Sequence, residues 1–445
     1  MKMKLGKVIH GDAQTELSEM EAESFEACVT DPPYELGFMG KSWDESGIAF
    51  DPEFWEEVYR VLKPGAHLLS FGGTRTHHRM MAAIEDAEFE IRDTLTWHYG
   101  GGFPKATDMS KTIDRRKGKF DEREEVGIKP GHEKFANRET TGHLDGDGGS
   151  SEGWRRPWQE KEGATDYHKQ TAPASEEAKK WEGWKTGLKP ATEFICMARK
   201  PFDGATVDAL LEHGVGALNV DECRIGTEKE VPASVSNKKG NVLEGSKDGS
   251  LRNETGNEDG RNPNVGRYPS NLLLDDRASA LLDGQSGETT SGAMKEAVSG
   301  YDSDSSTEFI EGVSGPQNQH GDSGGASRFF YCPKASTSER NMGVEENDHP
   351  TVKPVELMGY LIRLVTPEGG KVLDPFGGSG TTGMAAVLEQ KEFVIVEKDE
   401  ESATLAENRI KHVEDNYQRV REKTYGDPSN QITDEQTEVN DHDFW

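Results

Sequence analysis

Asp31-Pro32-Pro33-Tyr34 is the segment of this chain whose residue types point most directly to chemistry. Four specified residues, at roughly 5% each, arise by chance in a chain this long in well under about 1% of cases. Two consecutive prolines hold the backbone rigid after a short apolar run, Ala27 to Thr30. A carboxylate and a backbone carbonyl fixed side by side can accept from two N–H groups. An exocyclic amine on a nucleobase needs that help, because its lone pair is delocalised into the ring. Two aimed acceptors would pull the nitrogen toward a tetrahedral state. The tyrosine ring adds a stacking face for a base turned out of a duplex. The bland alternative is an ordinary Pro-rich turn.

A second segment, Asp374-Pro375-Phe376-Gly377-Gly378-Ser379-Gly380-Thr381-Thr382-Gly383, follows a strand pattern and opens a helix pattern. Its glycines let the backbone approach a ligand closely, and its polar groups can cap the helix. Glu397 ends the next strand pattern, 19 residues beyond Gly378, where an acid can bind ribose hydroxyls. Gly378, Gly380 and Gly383 also satisfy G-x-G-x-x-G, which suits a nicotinamide oxidoreductase equally well. Asp-Pro-Pro-Tyr has no role in hydride transfer, which counts against that class.

The elements that must position these segments lie at the two ends of the chain. Strand patterns fall at Lys7 to His10, Ala27 to Thr30, Ala66 to Phe71 and Phe89 to Tyr99. Helical spacing runs from Pro52 to Leu62, stopped by Lys63-Pro64-Gly65, and passes through Met80, Met81 and Ile84. Toward the other end, Pro354 is placed at a helix N1 position before an apolar face from Val355 to Val365. Strands at Lys371 to Leu373 and Phe393 to Val396 flank a helix from Thr381 to Glu389. This alternation predicts an α/β fold: a Rossmann-like, doubly wound, mostly parallel sheet with an inserted region. A strand is expected at Glu193 to Ala198, whereas 203–327 reads as polar and turn-rich, with a Gly/Ser-rich loop from Gly284.

Of 445 residues, 52 are Lys or Arg and 82 are Asp or Glu, a net charge of -30. That charge argues against a classical basic nucleic-acid binder. Only 32% are hydrophobic, below the usual 45–50% or so, and no run approaches about 18 apolar residues, so a membrane span is excluded. Met1 to Asp12 lacks an apolar core, and the four cysteines contain no C-x-x-C pair. We expect a cytoplasmic protein with reduced thiols. The acid excess is read as adaptation to a saline cytoplasm, where the Debye length falls to about 3 Å at 1 M salt.

Taken together, the two segments resemble the amino-group DNA methyltransferases that use S-adenosyl-L-methionine. With the catalytic segment first, the order is similar to the beta class, in which a target-recognition region lies between them. His349-Pro350-Thr351-Val352-Lys353-Pro354 and Gly11-Asp12 match further positions of that family. Phe38 to Asp44 and Phe71 to Arg75 resemble stretches common in phage-borne members. The resemblance covers about 1–100, 181–225 and 328–412 and is thin elsewhere.

It implies that Asp31 and the Pro32 carbonyl, with Pro33 rigidifying them, hold a target amine while Tyr34 stacks on the flipped base. It implies that Asp374 and Pro375 lead a loop whose residues Phe376, Gly377, Gly378, Ser379 and Gly380 wrap the methionine end of the cofactor, with Thr381 following. Glu397 would hold the ribose, Asp12 the adenine end, and Thr351 and Lys353 would line the methionine side. The amine would attack the sulfonium methyl, with no metal required. An aspartate at the head of the segment tilts the target toward adenine N6 in duplex DNA, the serine-led relatives toward cytosine N4.

DNA requires a locally basic surface. Lys105 and the run Lys111, Arg115, Arg116, Lys117 and Lys119 are candidate phosphate contacts, with a solvated helix face as the bland alternative. Trp154, Arg155, Arg156 and Trp158 form a second candidate. The expected division is 1–100 catalytic half, 101–190 inserted DNA-contacting region, 191–327 target-recognition region with its acidic loop, 328–415 cofactor half and 416–445 acidic, disordered tail. Homodimerisation and a partner restriction nuclease stay open.

Overall fold

The computed structural model describes residues 5–36, 46–102, 106–128, 169–226, 267–290, 323–333, 337–345, 347, 349 and 352–425. Lys105, Thr351, Phe38 to Asp44, the Trp154 to Trp158 cluster, residues 291–322 and the acidic stretch after Tyr425 lie outside them. The chain divides into two compact units, 1–101 with 191–434, and 102–190 with 435–445.

In the first unit, eight strands form one sheet: β1 (Gly6–His10), β2 (Phe25–Thr30), β3 (Leu62–Gly72), β4 (Glu90–His98), β5 (Thr192–Arg199), β6 (Leu272–Leu274), β7 (Lys371–Asp374) and β8 (Glu392–Glu397). Their spatial order is β1-β8-β7-β2-β3-β5-β4-β6. Every neighbouring pair is parallel except those made by β5, which runs antiparallel to both β3 and β4. The central strands are apolar on both faces, as a sheet covered on two sides requires. Cys28 points into a layer with Leu17, Phe54, Trp55, Val58 and Ile84. Val29, one residue on, points into the opposite layer with Leu357, Leu361, Met384 and Ile410. From β2 the chain winds toward β3, and from β7 it winds toward β8. The winding therefore reverses between β2 and β7, and the carboxyl ends of those two strands are the place where open α/β sheets take their ligands.

Several expectations need correction. Leu272 to Leu274 is not loop but the outermost strand, pairing in parallel with Thr96 to His98, and Asp276–Ser286 is a helix. Three apolar residues were too few to signal a strand, and β6 is held by its partner. Lys63-Pro64-Gly65 does end the helix Pro52–Val61, yet those residues lie within β3. Pro354 is the N-cap of Val355–Val365, one residue before the expected N1 position. Residues 417–425, assigned above to the tail, form a helix whose Val420 is buried and whose Tyr417 and Tyr425 pack on the core. Glu389 accepts from two of the Arg363 guanidinium nitrogens, Nε at 2.9 Å and Nη2 at 2.6 Å.

In the second unit, Asp108 caps the helix Met109–Arg116 by accepting from Lys111 N. Asp114 on that helix is fully buried. It accepts from Ser175 Oγ (2.6 Å), Ala174 N (3.0 Å), Ser175 N (3.1 Å) and the Arg123 guanidinium. Burial pushes this carboxyl up, but the donors from Ser175, Ala174 and Arg123 outweigh it and hold it at about 2. A depressed folded pKa means stability present above the ordinary value of 3.8 and lost as pH falls toward 2. Hydrogen-exchange protection of the helix Glu176–Lys180, measured against the unfolded-chain rate at each pH, should therefore fall between about pH 4 and 2. Asp114→Asn should show the reduced protection already at pH 6. Protection equal to wild type in that variant would remove the account.

Candidate active site

Asp31 follows β2 directly, so its carboxylate stands at the carboxyl edge of the sheet beside the winding reversal. Its Oδ2 accepts from Lys353 Nζ at 2.5 Å. Its Oδ1 is buried and has no hydrogen-bond partner among the described residues. Tyr34 donates its hydroxyl to Glu193 Oε2 at 2.9 Å, and its carbonyl accepts from Thr76 Oγ1 at 2.8 Å. Gly73 permits this approach, since a Cβ there would lie 3.0 Å from the Tyr34 ring.

Glu193 enters because β5 is reversed. The first residues of β5 lie at the edge where the parallel strands end, with Phe194 opposite Gly72 and Glu193 opposite Trp97. His77 stacks on Phe194 with ring centroids 4.1 Å apart, and its Nδ1 lies 3.2 Å from the Gly73 carbonyl, a structural role. Lys353 Nζ lies 3.4 Å from Glu193 Oε2, donates to the Tyr34 hydroxyl at 3.3 Å and sits over the Phe71 ring at 4.8 Å. Burial alone would lower this lysine, but the Asp31 and Glu193 carboxylates outweigh it, so the pKa is raised and the group stays an ammonium. Burial, and then the same two charges, push the Tyr34 phenol well above its usual range.

The glycine loop links β7 to the helix Thr381–Leu388. Asp374 lies beneath it, fully engaged: it accepts from Thr30 Oγ1 (2.7 Å), Thr382 Oγ1 (2.5 Å) and Phe376 N (3.1 Å). Burial raises its pKa to about 6 despite these donors. Pro375 is buried, and Phe376 leans on Phe54 with centroids 5.1 Å apart. Gly377 donates to the Val396 carbonyl, and a Cβ there would come within 2.0 Å of Ile395 Cγ2. Gly380 has φ +79° and packs on Ala406. Ser379 and Thr381 are held from behind by Arg409, whose Nη1 donates to Ser379 O (2.6 Å), Ser379 Oγ (2.8 Å) and Thr381 Oγ1 (3.4 Å).

Glu397 and Asp12 are brought to one edge by the pairing of β1 with β8, which sets His10 opposite Glu397. Glu397 accepts from Gly378 N at 2.7 Å and Asp399 N at 2.8 Å. Asp12 accepts from Lys398 Nζ at 3.0 Å and caps the helix Ala13–Glu19; the Lys398 hydrogen bond lowers its pKa. Lys353, expected on the cofactor's methionine side, is brought to Asp31.

In the second unit Arg115, Arg116, Lys117 and Lys119 are exposed, and Lys111 is half-buried. Lys117 pairs with Glu177, Lys119 lies 3.8 Å from Glu122, and Arg115 covers the Phe120 ring. Part of the run's charge is thus matched locally.

Sequence reasoning missed Glu193 and Arg409. Arg409 carried a signal: it falls on the buried stripe Ala403, Ala406, Ile410 and Val413, where a charge has no bland explanation. Glu193 carried none, because strand direction cannot be read from alternation.

Among the described residues no cluster of His, Cys, Asp or Glu could hold a metal, and no helix is long and apolar enough to cross a membrane. Asp-Pro-Pro-Tyr and the glycine loop thus stand side by side at the carboxyl ends of β2 and β7, where the winding of an α/β sheet reverses. The DNA methylase family model, that of the N6 and N4 amino methyltransferases, matches residues 25–408, and the chain belongs to that family. It is 35% identical over 84 residues to the Type II methyltransferase M2.MboI of Moraxella bovis, covering 19% of this chain and 29% of that one. It is 47% identical over 62 residues to M.HindIII of Haemophilus influenzae, covering 14% and 20%. Thus the aligned part spans less than a third of either relative. Among solved structures, the cytosine-N4-specific PvuII DNA methyltransferase aligns over 94% of both chains at 14% identity, with a TM-score of 0.39.

Proposed function

We propose that this chain methylates the N6 amine of adenine in duplex DNA, with S-adenosyl-L-methionine as donor and the target base turned out of the helix. The observation that carries the reading is Asp31 Oδ1, a buried carboxylate oxygen without a donor among the described residues. Such an atom costs on the order of 1–3 kcal/mol, and a target N–H would satisfy it. The Pro32 carbonyl takes the second N–H, and Tyr34, anchored through Glu193 and Thr76, offers its ring to the base.

The residues of the second segment suit the cofactor. Glu397 uses one lone pair of each oxygen on backbone N–H groups and keeps the others for ribose hydroxyls. Gly378, with φ +49°, lets the loop backbone pass close to His349, since a Cβ there would lie 3.1 Å from His349 Nε2. Phe376 to Gly380 wrap the methionine end, and Asp12 takes the adenine end. When bound, S-adenosyl-L-methionine supplies a methyl group already activated by the sulfonium. The chain's part is then positioning: holding the amine in line and excluding water. The exposed cations Arg115, Arg116, Lys117 and Lys119, with Lys111, are assigned to phosphate contact.

The test is sequencing of DNA from expressing cells with modified-base detection, followed by transfer assays on duplex DNA across a KCl series. N6-methyladenine at one short site is the expected product; N4-methylcytosine would move the target to cytosine. Tight NAD binding without S-adenosyl-L-methionine binding would overturn the reading. Because the net charge of -30 is read as salt adaptation, activity should persist or rise toward about 1 M KCl, where the Debye length is near 3 Å. An optimum near 0.1 M, roughly a 10 Å Debye length, would contradict that adaptation.

A further inference from the structure

Asp31 is already engaged by an ammonium. Lys353 Nζ lies 2.5 Å from Asp31 Oδ2 and 3.4 Å from Glu193 Oε2, and the three side chains are 9%, 21% and 18% exposed. An arriving target amine meets a carboxylate whose charge is neutralised by this cation, which makes it a weaker acceptor. Moving the ammonium away with no other anion at hand would strand a charge in a poorly solvated pocket. Glu193 is the anion at hand. Closing 3.4 Å to an ordinary ammonium–carboxylate contact needs a shift of well under about 1 Å. Only the Lys353 side chain has to move, because its backbone leads into a fixed helix start where Val355 N is held by Glu339.

We infer that Glu193 is a positioning residue for the Asp31 centre: it receives the Lys353 ammonium when the target amine takes Asp31, and through the Tyr34 hydroxyl it holds the stacking ring in place. This rests on the proposed amine methylation. Without the Glu193 charge, Asp31 is the one anionic partner left to Lys353 among the described residues, and the ammonium stays on it. The target amine, taking Oδ1, then meets a carboxylate still neutralised by the ammonium on Oδ2 and so a weaker acceptor, and the loss falls on turnover rather than on cofactor binding.

The experiment uses the full chain and a duplex carrying the site found by modified-base detection. Glu193→Gln keeps the shape and an acceptor for Tyr34 but removes the charge; Glu193→Asp keeps the charge. The expected result is a kcat at least tenfold lower for Glu193→Gln and within threefold of wild type for Glu193→Asp, with S-adenosyl-L-methionine Kd for both within twofold of wild type by calorimetry. A Glu193→Gln kcat within twofold of wild type overturns the inference. So does a parallel fall of both variants accompanied by weaker cofactor binding, which is a purely structural loss. Should Glu193→Gln not fold, Glu193→Asp decides: a tenfold loss of kcat with intact cofactor binding overturns the inference, and near-wild-type turnover supports it. If wild type transfers no methyl group to DNA, the proposed function fails; if it does and Glu193→Gln equals it, this inference alone fails.

Discussion

Asp31→Ala is expected to lower kcat for methyl transfer by on the order of 10²–10³-fold, the usual effect of removing one preorganised electrostatic partner. Cofactor affinity should stay within a few-fold, because the observed partner of the carboxylate is Lys353, not the glycine loop. Asp31→Asn should fall between, since the amide oxygen still accepts from the amine. Neither variant is silent toward the fold. Removing the charge leaves the Lys353 ammonium to Glu193 alone, 3.4 Å away, so some loss of thermal stability should accompany the loss of turnover. Single-turnover transfer to duplex DNA, with cofactor binding measured in parallel, separates the two effects. Unchanged transfer by Asp31→Ala would remove the mechanism.

Arg409→Met should weaken S-adenosyl-L-methionine binding at least tenfold and destabilise the first unit by roughly 3 kcal/mol, the sum of one or two stranded buried acceptors. The guanidinium is fully buried. It spans from the glycine loop at Ser379 and Thr381 to the Glu339 carbonyl, 3.3 Å from Nη2. Burial lowers its pKa to about 10, so it remains charged at neutral pH and its donors remain available. Methionine fills much of the volume but donates nothing, leaving the Ser379 carbonyl without the donor that shapes the loop. Arg409→Lys should recover only part of the effect, because a point ammonium cannot reproduce the planar fork. Calorimetric binding and thermal melts of the same preparations provide the check. A cofactor Kd within twofold of wild type would show that the loop shapes itself.

The two chemical segments were legible because both are local. Asp31 to Tyr34 and Asp374 to Gly383 declare themselves by composition and by position after a strand. The strands and helices around them were equally legible where burial on both faces made the apolar runs continuous, as in β2, β7 and β8. Legibility failed where a neighbour supplied the order. Leu272 to Leu274 is a strand because His98 and its neighbours pair with it, and Tyr417 to Tyr425 is a helix because the core accepts three of its side chains. The net charge hides the basic run that the residues themselves declared: Arg115, Arg116, Lys117 and Lys119 are exposed in the second unit, with Lys117 and Lys119 facing Glu177 and Glu122. Net charge describes the average surface and not its local departures.

By itself, then, the sequence determined the kinds of groups at the site, their order along the chain and the doubly wound class of the sheet. Residue type and hydrophobic period carry that information. The tertiary structure decided which groups meet. It reversed β5, so that Glu193 arrives at the edge where the parallel strands end. It placed Lys353 on Asp31 across 322 residues, and it put Arg409 beneath the glycine loop. Each outcome depends on strand direction and on the partner across the sheet or helix pair, and a single chain's periodicity records neither.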